Sequence, residues 1–467
     1  MKKRRLDILE GDLLPNILLF TVPVILSSVL QLLFNAIDMI VVGKFSGSVS
    51  MAAVSSTSSL INLIINLFIG LSVGCSVAIA RRIGKRDYDE ISKAVHTTIF
   101  LAFIAGVILT FVGIIFSHKF LEMMNSPADV IDLSTIYLRF YFTGVLATMI
   151  YNFSSAVLRA KGDTKRPLIA LTIAGVLNAL LNLFFVTVLK MDVAGVGLAS
   201  SLSSYVSAVL VLLVLIRDDE ATHVDIRHLY IDPAALKEIL LVGLPAGIQS
   251  TVFSISNVAI QSSVNEFGQI VMAGNGAASS IGDFVYNIMN AFYQSCLTFT
   301  SQNVGAGKRK RIMKILLTCI FLVTIFGLVF GNSAYYFGNF LLGIYSDDPS
   351  VIEAGLTRLR IICCPYFICG IMDVFVGSLR GMGSSIVPMI VSLMGACAFR
   401  LIYIATYFKA HHTIEVLYYS YPLSWIITAF VHLLTFIIVY RRYIKKNDES
   451  NERDFNSSAD VTDRDRM

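Results

Sequence analysis

The feature that most constrains this chain is the recurrence of apolar runs long enough to cross a lipid bilayer. A membrane-spanning helix needs about 20 consecutive, mostly apolar residues, and such runs recur along all 467 residues. Only 15% of the residues are charged and 55% are hydrophobic, so the chain lacks the polar surface of a soluble globule. We therefore predict an all-α integral membrane protein with twelve transmembrane helices. The predicted spans are 15–43, 52–80, 94–117, 133–157, 167–189, 194–216, 238–265, 271–300, 313–340, 355–379, 386–408 and 417–440.

The basic residues predict how these spans are oriented. Cytoplasmic loops of membrane proteins carry an excess of positive charge, and most of the 37 Lys and Arg residues fall in the two termini and the even-numbered loops. We therefore predict a multi-pass protein of the cell membrane with both termini in the cytoplasm. This topogenic role accounts for the net charge of +5, so we expect no nucleic-acid partner. The N-terminus lacks the short apolar core and cleavage site of a signal peptide, so we expect the first span to be retained.

The two halves of the chain resemble each other. Pro23 and Asn35 recur as Pro245 and Asn257 at a distance of 222 residues. "LRAKGDTKRP" at 158–167 likewise corresponds to "LRGMGSSIVP" at 379–388. Each half has an even number of spans, so both begin on the same side of the membrane. We therefore predict two six-helix lobes related by an internal parallel repeat, with the binding cavity between them. The predicted division is a cytoplasmic N-terminus 1–11, an N-terminal lobe 12–216, a cytoplasmic linker 217–237, a C-terminal lobe 238–441 and a polar tail 442–467 expected to be disordered.

One carboxylate stands out in the first span. Gln31, Asn35 and Asp38 are spaced so that they share one helix face among apolar neighbours. A charge near the bilayer centre costs about 2.5–3.5 kcal/mol, and such residues usually face an aqueous cavity or the bundle interior. Asn178 and Asn182 form a second polar pair, one turn apart in span five. The alternative interpretation is that these groups only form hydrogen bonds between helices.

Further polar rows occur in the second, seventh, eighth and tenth spans. Their members are Asn62, Asn66, Asn257, Gln261, Asp283, Asn287, Gln294 and Asp373. They could line a cavity or join helices by hydrogen bonds. Arg400 is a basic residue in a strongly apolar setting, and we expect it to neutralise a carboxylate or reach an interface rather than bind a substrate.

Motifs of enzymes are missing from the sequence. "GAGKRK" at 305–310 does not fit the phosphate-binding GxxxxGK[ST] pattern, and there is no zinc-binding His-Glu helix or nucleophile elbow. The seven cysteines lie in or beside apolar spans without the spacing of zinc ligands. We therefore expect neither enzymatic activity nor a cofactor. Any uphill transport must then be driven by an ion gradient or by another partner, and an ion gradient supplies about 2.3 kcal/mol per charge crossing 100 mV.

Three stretches together are similar to the multidrug and toxic compound extrusion (MATE) transporters. They are "PVILSSVLQLLFNAIDMIVVGKFSG" in span one, "ARRIGKRDYDEISKA" with its repeat "SQNVGAGKRKRIMKI", and "LRAKGDTKRP" with its repeat. The resemblance covers residues 12–441 and implies an antiporter in which proton or sodium entry drives the export of organic, often cationic compounds. It also implies that Asp38 matches a family acidic residue that binds the coupling ion. Asn182 stands where several members of the family carry an aspartate. Some members also carry a glutamate in the seventh helix, and this sequence has none near Phe253, so the identity of the coupling ion stays open.

These observations lead to a specific site hypothesis. We predict a coupling-ion or proton site formed by Asp38, Asn35, Asn178 and Asn182, where sodium could bind at Asp38. The predicted substrate cavity contains Gln31, Asn62, Asn66, Asn257, Gln261, Asp283, Asn287, Gln294 and Asp373. The expected partners are small organic substrates and the lipid bilayer, and we expect a monomer. The alternatives are a flippase for lipids or lipid-linked oligosaccharides, which predicts more basic residues in the cavity, and a membrane protein without a transport cycle.

Overall fold

The computed structural model describes residues 6–464 apart from 125, 128, 129 and 219, and within this part of the chain it is helical without strands. Basic residues 2–5, part of the orientation argument, lie outside the described residues, as do 465–467 of the tail. The α-helices are α1 Leu13–Phe45, α2 Ser48–Lys85, α3 Tyr88–Met123, α4 Ile131–Thr143, α5 Val145–Lys161, α6 Lys165–Leu183, α7 Asp192–Ile216, α8 Pro233–Asn265, α9 Gln269–Gly305, α10 Arg309–Tyr336, α11 Gly338–Gly343, α12 Pro349–Arg358, α13 Tyr366–Gly381, α14 Ile386–Ser392, α15 Phe399–Tyr403 and α16 Ile414–Arg464. Short π-helical segments lie at Phe184–Val188, Leu359–Cys363, Leu393–Ala398 and Ile404–Phe408, and a 3₁₀ turn at Ile226–His228.

The predicted spans all fall on helices, but one of them is not apolar enough to be counted. Within the described residues, nine helices are long and apolar enough to cross a membrane, and the count reaches eleven when the bent pairs α4–α5 and α12–α13 are each taken as one span. The eighth predicted span lies on α9, which is long but carries the Asp283, Asn287 and Gln294 row. Because α9 buries much of its surface against other helices, its polar residues are tolerated inside the bundle.

The sequence repeat appears as matched glycines in the backbone. Gly47 and Gly268 precede α2 and α9 with φ of 96° and 86°. Gly162 and Gly383 follow α5 and α13 with φ of 93° and 86°. These φ values belong to the left-handed region, which a residue without Cβ adopts at little cost. The two halves therefore use the same turns at equivalent places.

Each half builds its own apolar core, and two helices join the halves. Ile79, Val157 and Val211 belong to the core of the first lobe. The beginning of α1 instead packs in the second lobe, where Phe20 meets Phe299 edge to face. The beginning of α8 does the reverse, since Ile239 lies in a first-lobe core. The lobes are thus joined at the end of the bundle that carries the N-terminus, the linker and the beginning of α8, which we call the terminal end.

The seam between the lobes is closed by glycines on the terminal side of the bundle. A Cβ on Gly70 would overlap the backbone of Gly247, and one on Gly84 would overlap the carbonyl of Gln302. The contacts of α2 with α8 at Gly70 and with α9 at Gly84 are therefore backbone against backbone, as small residues permit. Towards the opposite end, Leu63 and an apolar cleft between the same two helices are open.

Charged side chains cross the same seam at the terminal end. Arg81 Nη1 lies 3.2 Å from Glu238 Oε1, and Arg82 Nη1 pairs with Glu238 Oε2. Arg81 Nη2 also donates to the carbonyl of Gly381 at 3.1 Å. We refer to Arg81, Arg82, Glu238 and Gly381 as the clamp. It links the end of α2 to α8 and α13, so the lobes cannot separate here without breaking it.

The polar tail differs from the prediction. We expected disorder in 442–467, but α16 continues through this segment to Arg464. The segment contains neither Pro nor Gly, so nothing in it ends the helix. The linker is also ordered where it is described, because Lys161 Nζ lies 2.5 Å from Asp218 Oδ2 and the Asp232 amide donates to Thr97 Oγ1 at 2.9 Å.

Candidate functional site

The Asp38 carboxylate is buried in the first lobe and held by neutral groups. It is 8% exposed and lies on the second half of α1. Asn182 Nδ2 donates to Asp38 Oδ1, and Ser200 Oγ donates to Asp38 Oδ2 at 3.0 Å. Among the described residues no Lys, Arg or His forms an ion pair with Asp38. Its charge is therefore available to a cation.

A second layer of hydrogen bonds orients these partners. Asn182 Nδ2 also donates to Asn178 Oδ1 at 3.2 Å, and Asn178 Nδ2 donates to Ser200 Oγ at 3.3 Å. The two asparagines lie one turn apart on α6, just before the π-helical turn that starts at Phe184. Asn182 Oδ1 is buried and has no hydrogen-bond partner among the residues described. An unpaired oxygen beside a buried carboxylate is suited to coordinate a hard cation.

The Asp38 carboxylate opens on a cavity of about 320 Å³ within the first lobe, which we call the Asp38 pocket. Its predicted members are Gln31, Asn35, Asp38, Asn62, Asn66 and Asn178. The pocket also contains Tyr137, Tyr141, Thr148, Asn152, Ser200, Ser203, Ser204 and Ser207. Sequence reasoning missed this second group. The signal was the spacing of Ser200, Ser203, Ser204 and Ser207, which places these hydroxyls on one face of α7.

This arrangement changes the predicted division of the site. We expected Gln31, Asn62 and Asn66 in a substrate cavity between the halves, but they share the first-lobe pocket with Asp38. That pocket is lined only by residues of the first half. The reason is geometric, because the first half of α2 and the second half of α8 diverge from the glycine contact, and α2 turns its polar face towards α1 and α7.

The predicted second-half residues are dispersed and do not line the Asp38 pocket. Asn257, Gln261 and Asp283 are exposed. Gln261 Oε1 accepts from Asn275 Nδ2 at 3.0 Å, which joins α8 to α9. Asn287 Nδ2 donates to the carbonyl of Asp283 at 2.8 Å within α9 itself. The remaining members are Gln294 and Asp373, which are half-buried on α9 and α13.

Two arginines carry positive charge into the interior of the second lobe. Arg400 Nε donates to Ser424 Oγ at 2.8 Å, and its Cζ lies 4.3 Å from the ring centroid of Tyr421. Arg358 donates to Asn275 Oδ1 at 2.8 Å. We expected Arg400 to neutralise a carboxylate or reach an interface, and it lies against a hydroxyl and an aromatic ring without an ion pair among the described residues. The sequence shows an arginine within an apolar span. It does not show which side chains surround that arginine, because they depend on how α14–α16 pack.

In the chain as far as it is described, no three His, Cys, Asp or Glu side chains gather in a way that could hold a metal ion. The Asp38 pocket therefore offers one carboxylate together with neutral oxygens. Such a set suits a monovalent cation or a proton better than a tightly held transition metal.

The fold and the site define a polytopic helical membrane protein with two repeated lobes and a buried carboxylate in the first. Comparison with known proteins makes this more specific. Residues 23–184 and 245–406 each match the MatE profile, so the chain belongs to the MatE family, the multidrug efflux transporters. Members of this family are transporters rather than enzymes, and they bind small-molecule substrates.

Characterised relatives agree with this assignment. The probable multidrug resistance protein YpnP of Bacillus subtilis is 27% identical over 390 residues, which cover 83% of this chain and 87% of that protein. The multidrug export protein MepA of Staphylococcus aureus is 19% identical over 364 residues, covering 78% and 80%. A solved MATE family transporter in an outward-facing conformation superposes with a TM-score of 0.88 at 21% identity, covering 95% of this chain and 100% of that one. A MOP superfamily transporter from Pyrococcus furiosus superposes with a TM-score of 0.87 at 21% identity, with coverage of 95% and 99%.

Proposed function

We propose that this chain is a cation-coupled antiporter that exports organic compounds of cationic or aromatic character by alternating access. The observation that carries the proposal is the buried Asp38 carboxylate, which neutral donors hold at the wall of a polar pocket. A charge inside a membrane protein is costly and commonly marks a route for ions or substrate. Because Asp38 has no permanent cationic partner, a transported cation can supply one and then leave.

The coupling ion is a proton or sodium. Sodium is a hard cation that takes oxygen ligands, and Asp38 together with the unpaired Asn182 Oδ1 offers such ligands. A proton requires only the Asp38 carboxylate itself. Both ions would neutralise Asp38 in the same place, so a single binding site serves either form of the proposal.

The closed seam supports the alternating-access part of the proposal. The clamp and the glycine contacts close the terminal end, whereas the cleft between α2 and α8 is open at the other end. With both termini in the cytoplasm of the cell, as the basic residues predict, this state opens to the outside. An ion or a drug can shift the balance between the two states only by binding one of them more tightly. We propose that cation loading of Asp38 favours the state that releases drug outside.

The test is dye efflux from vesicles that contain the purified monomer, under separately imposed sodium and proton gradients. Wild type is compared with Asp38→Asn and with Asp347→Asn, which removes an exposed carboxylate far from the pocket. We expect Asp38→Asn to lose gradient-driven efflux and Asp347→Asn to retain it. Full gradient-coupled efflux by Asp38→Asn would refute the site, and unchanged fluxes in every variant would favour a membrane protein without a transport cycle.

A lipid flippase of the same superfamily is the second candidate. The observation that favours it is the set of buried arginines in the second lobe, Arg380 and Arg400. The Asp38 pocket itself contains no Lys or Arg, which favours the antiporter. Overexpression separates the two candidates, since an antiporter lowers the cellular accumulation of ethidium-like dyes and a dedicated flippase does not.

A further inference from the structure

The second lobe carries an arginine–aromatic cluster. The two segments that match the MatE family are offset by 222 residues, and at that offset Asp38 corresponds to Ile260. The second lobe therefore has an aliphatic residue in place of the carboxylate, and its buried charge comes instead from arginines such as Arg400.

Arg400 is the centre of this cluster. Its guanidinium Cζ lies 4.3 Å from the ring centroid of Tyr421 and 5.9 Å from that of Trp425. Tyr366 stacks on Trp425 with a centroid distance of 5.1 Å and an interplanar angle of 19°. Stacking on aromatic faces stabilises a guanidinium without neutralising its charge. The Arg400 side chain is thus positioned while it stays positively charged.

The outer nitrogens of Arg400 are free to bind a ligand. Only Nε makes a hydrogen bond, to Ser424, and neither Nη1 nor Nη2 has a partner among the described residues. Neither nitrogen is among the polar atoms that are both unpartnered and sealed from the surrounding space. Two parallel N–H groups at the end of a guanidinium match the two oxygens of a carboxylate or a phosphate. Arg400 therefore keeps two terminal N–H groups that no described residue occupies, on a side chain of a residue that is 7% exposed.

Arg358 adds a second positive charge beside the first. Its Cζ lies 5.8 Å from the ring centroid of Tyr418 and 6.0 Å from that of Tyr421, the ring on which Arg400 also stacks. Its terminal nitrogens donate to neutral acceptors, Asn275 Oδ1 at 2.8 Å and Ser279 Oγ at 3.2 Å. Two guanidinium groups against one ring repel each other, and a bound anion would relieve that repulsion.

The carboxylates of this lobe do not fill that role. Asp283 is exposed and close enough to Arg358 to attract it, but the two form no ion pair. Asp373 lies near Arg380, which instead donates to Tyr293 Oη at 2.7 Å and to Gln249 Oε1 at 2.9 Å. Neither aspartate forms an ion pair with Arg400. Among the described residues, therefore, no carboxylate forms an ion pair with either of the two guanidinium groups beside Tyr421.

We propose that Arg400, assisted by Arg358, binds an anionic group, a carboxylate or phosphate, of an aromatic or apolar substrate whose body packs on Tyr421 and Trp425. The inference rests on the proposed transport function and specifies its substrate. The coupling cation is bound in the first lobe, and the acidic group of the substrate is bound in the second. A soluble organic acid and the phosphate of a lipid headgroup share this chemistry, and the experiment separates them.

The chain provides its own probe for this site, because Trp425 is its single tryptophan. The full chain is placed in phosphatidylcholine nanodiscs and titrated with phenylbutyrate or phenylbutylamine, which share one body and carry opposite charges. We expect saturable changes in Trp425 emission with phenylbutyrate only. Arg400→Gln should weaken phenylbutyrate binding at least tenfold, and Arg400→Lys should weaken it less, since it keeps the charge but loses the two parallel donors.

Two further variants keep the test decisive. Arg360→Gln removes an exposed charge two residues from Arg358 and should bind phenylbutyrate like wild type. If Arg400→Gln does not fold, Arg400→Lys and Arg358→Gln carry the test. An equal response to phenylbutylamine, or phenylbutyrate binding unchanged in the folded Arg400 and Arg358 variants, would overturn the proposal.

The source of the anion is tested by changing the lipid. Nanodiscs with phosphatidylglycerol should alter Trp425 emission and weaken phenylbutyrate binding if a lipid phosphate occupies the site. If they do neither, the ligand is a soluble acid. Because the titration measures binding alone, its failure is distinct from failure of the antiporter proposal, which is measured by gradient-driven efflux in the Asp38→Asn comparison.

Discussion

The clamp at the terminal end makes a quantitative prediction about the conformational equilibrium. Glu238 pairs with Arg81 and Arg82, and the three side chains are 25%, 20% and 10% exposed. Exposed ion pairs contribute about 0.2–1 kcal/mol each, and the partial burial of these places them at the upper end of that range. Glu238→Gln should therefore destabilise the closed seam by about 1–2 kcal/mol, which raises the population open at the terminal end by a factor of about 5–30.

The population is measured as the distance distribution between two spin labels across the terminal end. Exposed positions Lys85 on α2 and Lys314 on α10 are replaced by labelled cysteines. A Cys364→Ser background suffices, because the other six native cysteines are buried. We expect Glu238→Gln to populate longer distances that are scarce in the parent.

The matched control is Glu90→Gln. Glu90 also contacts Arg82, at 3.6 Å, but both residues belong to the first lobe, so this pair does not cross the seam. Glu90→Gln should leave the distance distribution unchanged. Opening of the same size in both variants, or in neither, would show that the ion pairs across the seam do not hold the terminal end closed.

Three further predictions concern the seam, the site and the linker. Gly247→Leu places a side chain against the Leu67 carbonyl, so we expect loss of efflux and a seam held open in the spin-label experiment, whereas Gly276→Ala, with nothing near its Cβ, should behave like wild type. Asn182→Ala removes a hydrogen bond that stabilises ionised Asp38, worth about 1.5–3 kcal/mol. If the coupling ion is a proton, its apparent affinity in initial-rate measurements should therefore rise at least tenfold, whereas sodium should bind more weakly because it loses the Asn182 Oδ1 ligand; an unchanged ion dependence would contradict the site. Burial raises the pKa of Asp218, but hydrogen bonds from Lys161 and Thr222 outweigh it and hold the pKa below its usual 3.8. Ionised Asp218 therefore contributes to the stability of the fold above pH 3.8, and this contribution is lost as the pH falls through the lower pKa of the folded state. The thermal unfolding temperature of wild type should fall in acid for this reason, and Asp218→Asn should lack this part of the fall.

The membrane fold and the carboxylate were predictable because their physical signals are local. Apolar length defines a span without reference to its neighbours, and Asp38 is conspicuous because its burial is expensive. The pair Asn178 and Asn182 was visible as two amides on one face of a helix. Because α1 packs on α6, Asn182 donates to Asp38, whereas Asn178 donates to Ser200, which also holds Asp38.

The parts that escaped prediction depend on which helices meet. Ser200 also donates to Asp38, yet serine is too common in membrane helices for one residue to attract notice. Asn62 and Asn66 were assigned to a cavity between the halves, but they line the pocket of the first lobe. The packing of α2 decides which neighbour its polar face meets, and the sequence of α2 alone does not show that packing. Arg400 was recognised as unusual, but its aromatic neighbours come from α16, in a different span.

The polarity of α9 has a consequence for how the protein is made. A segment with this many amides and a carboxylate is a poor candidate for independent entry into lipid, because each exposed polar group has to find a partner there. Its earliest partners are already synthesised when it emerges, since Thr21 Oγ1 of α1 lies 2.6 Å from Ser295 Oγ and Gly84 of α2 packs on the Gln302 carbonyl. Stable insertion of the second half should therefore depend on the first half being present in the membrane. The order in which the two halves are synthesised then affects whether the protein folds.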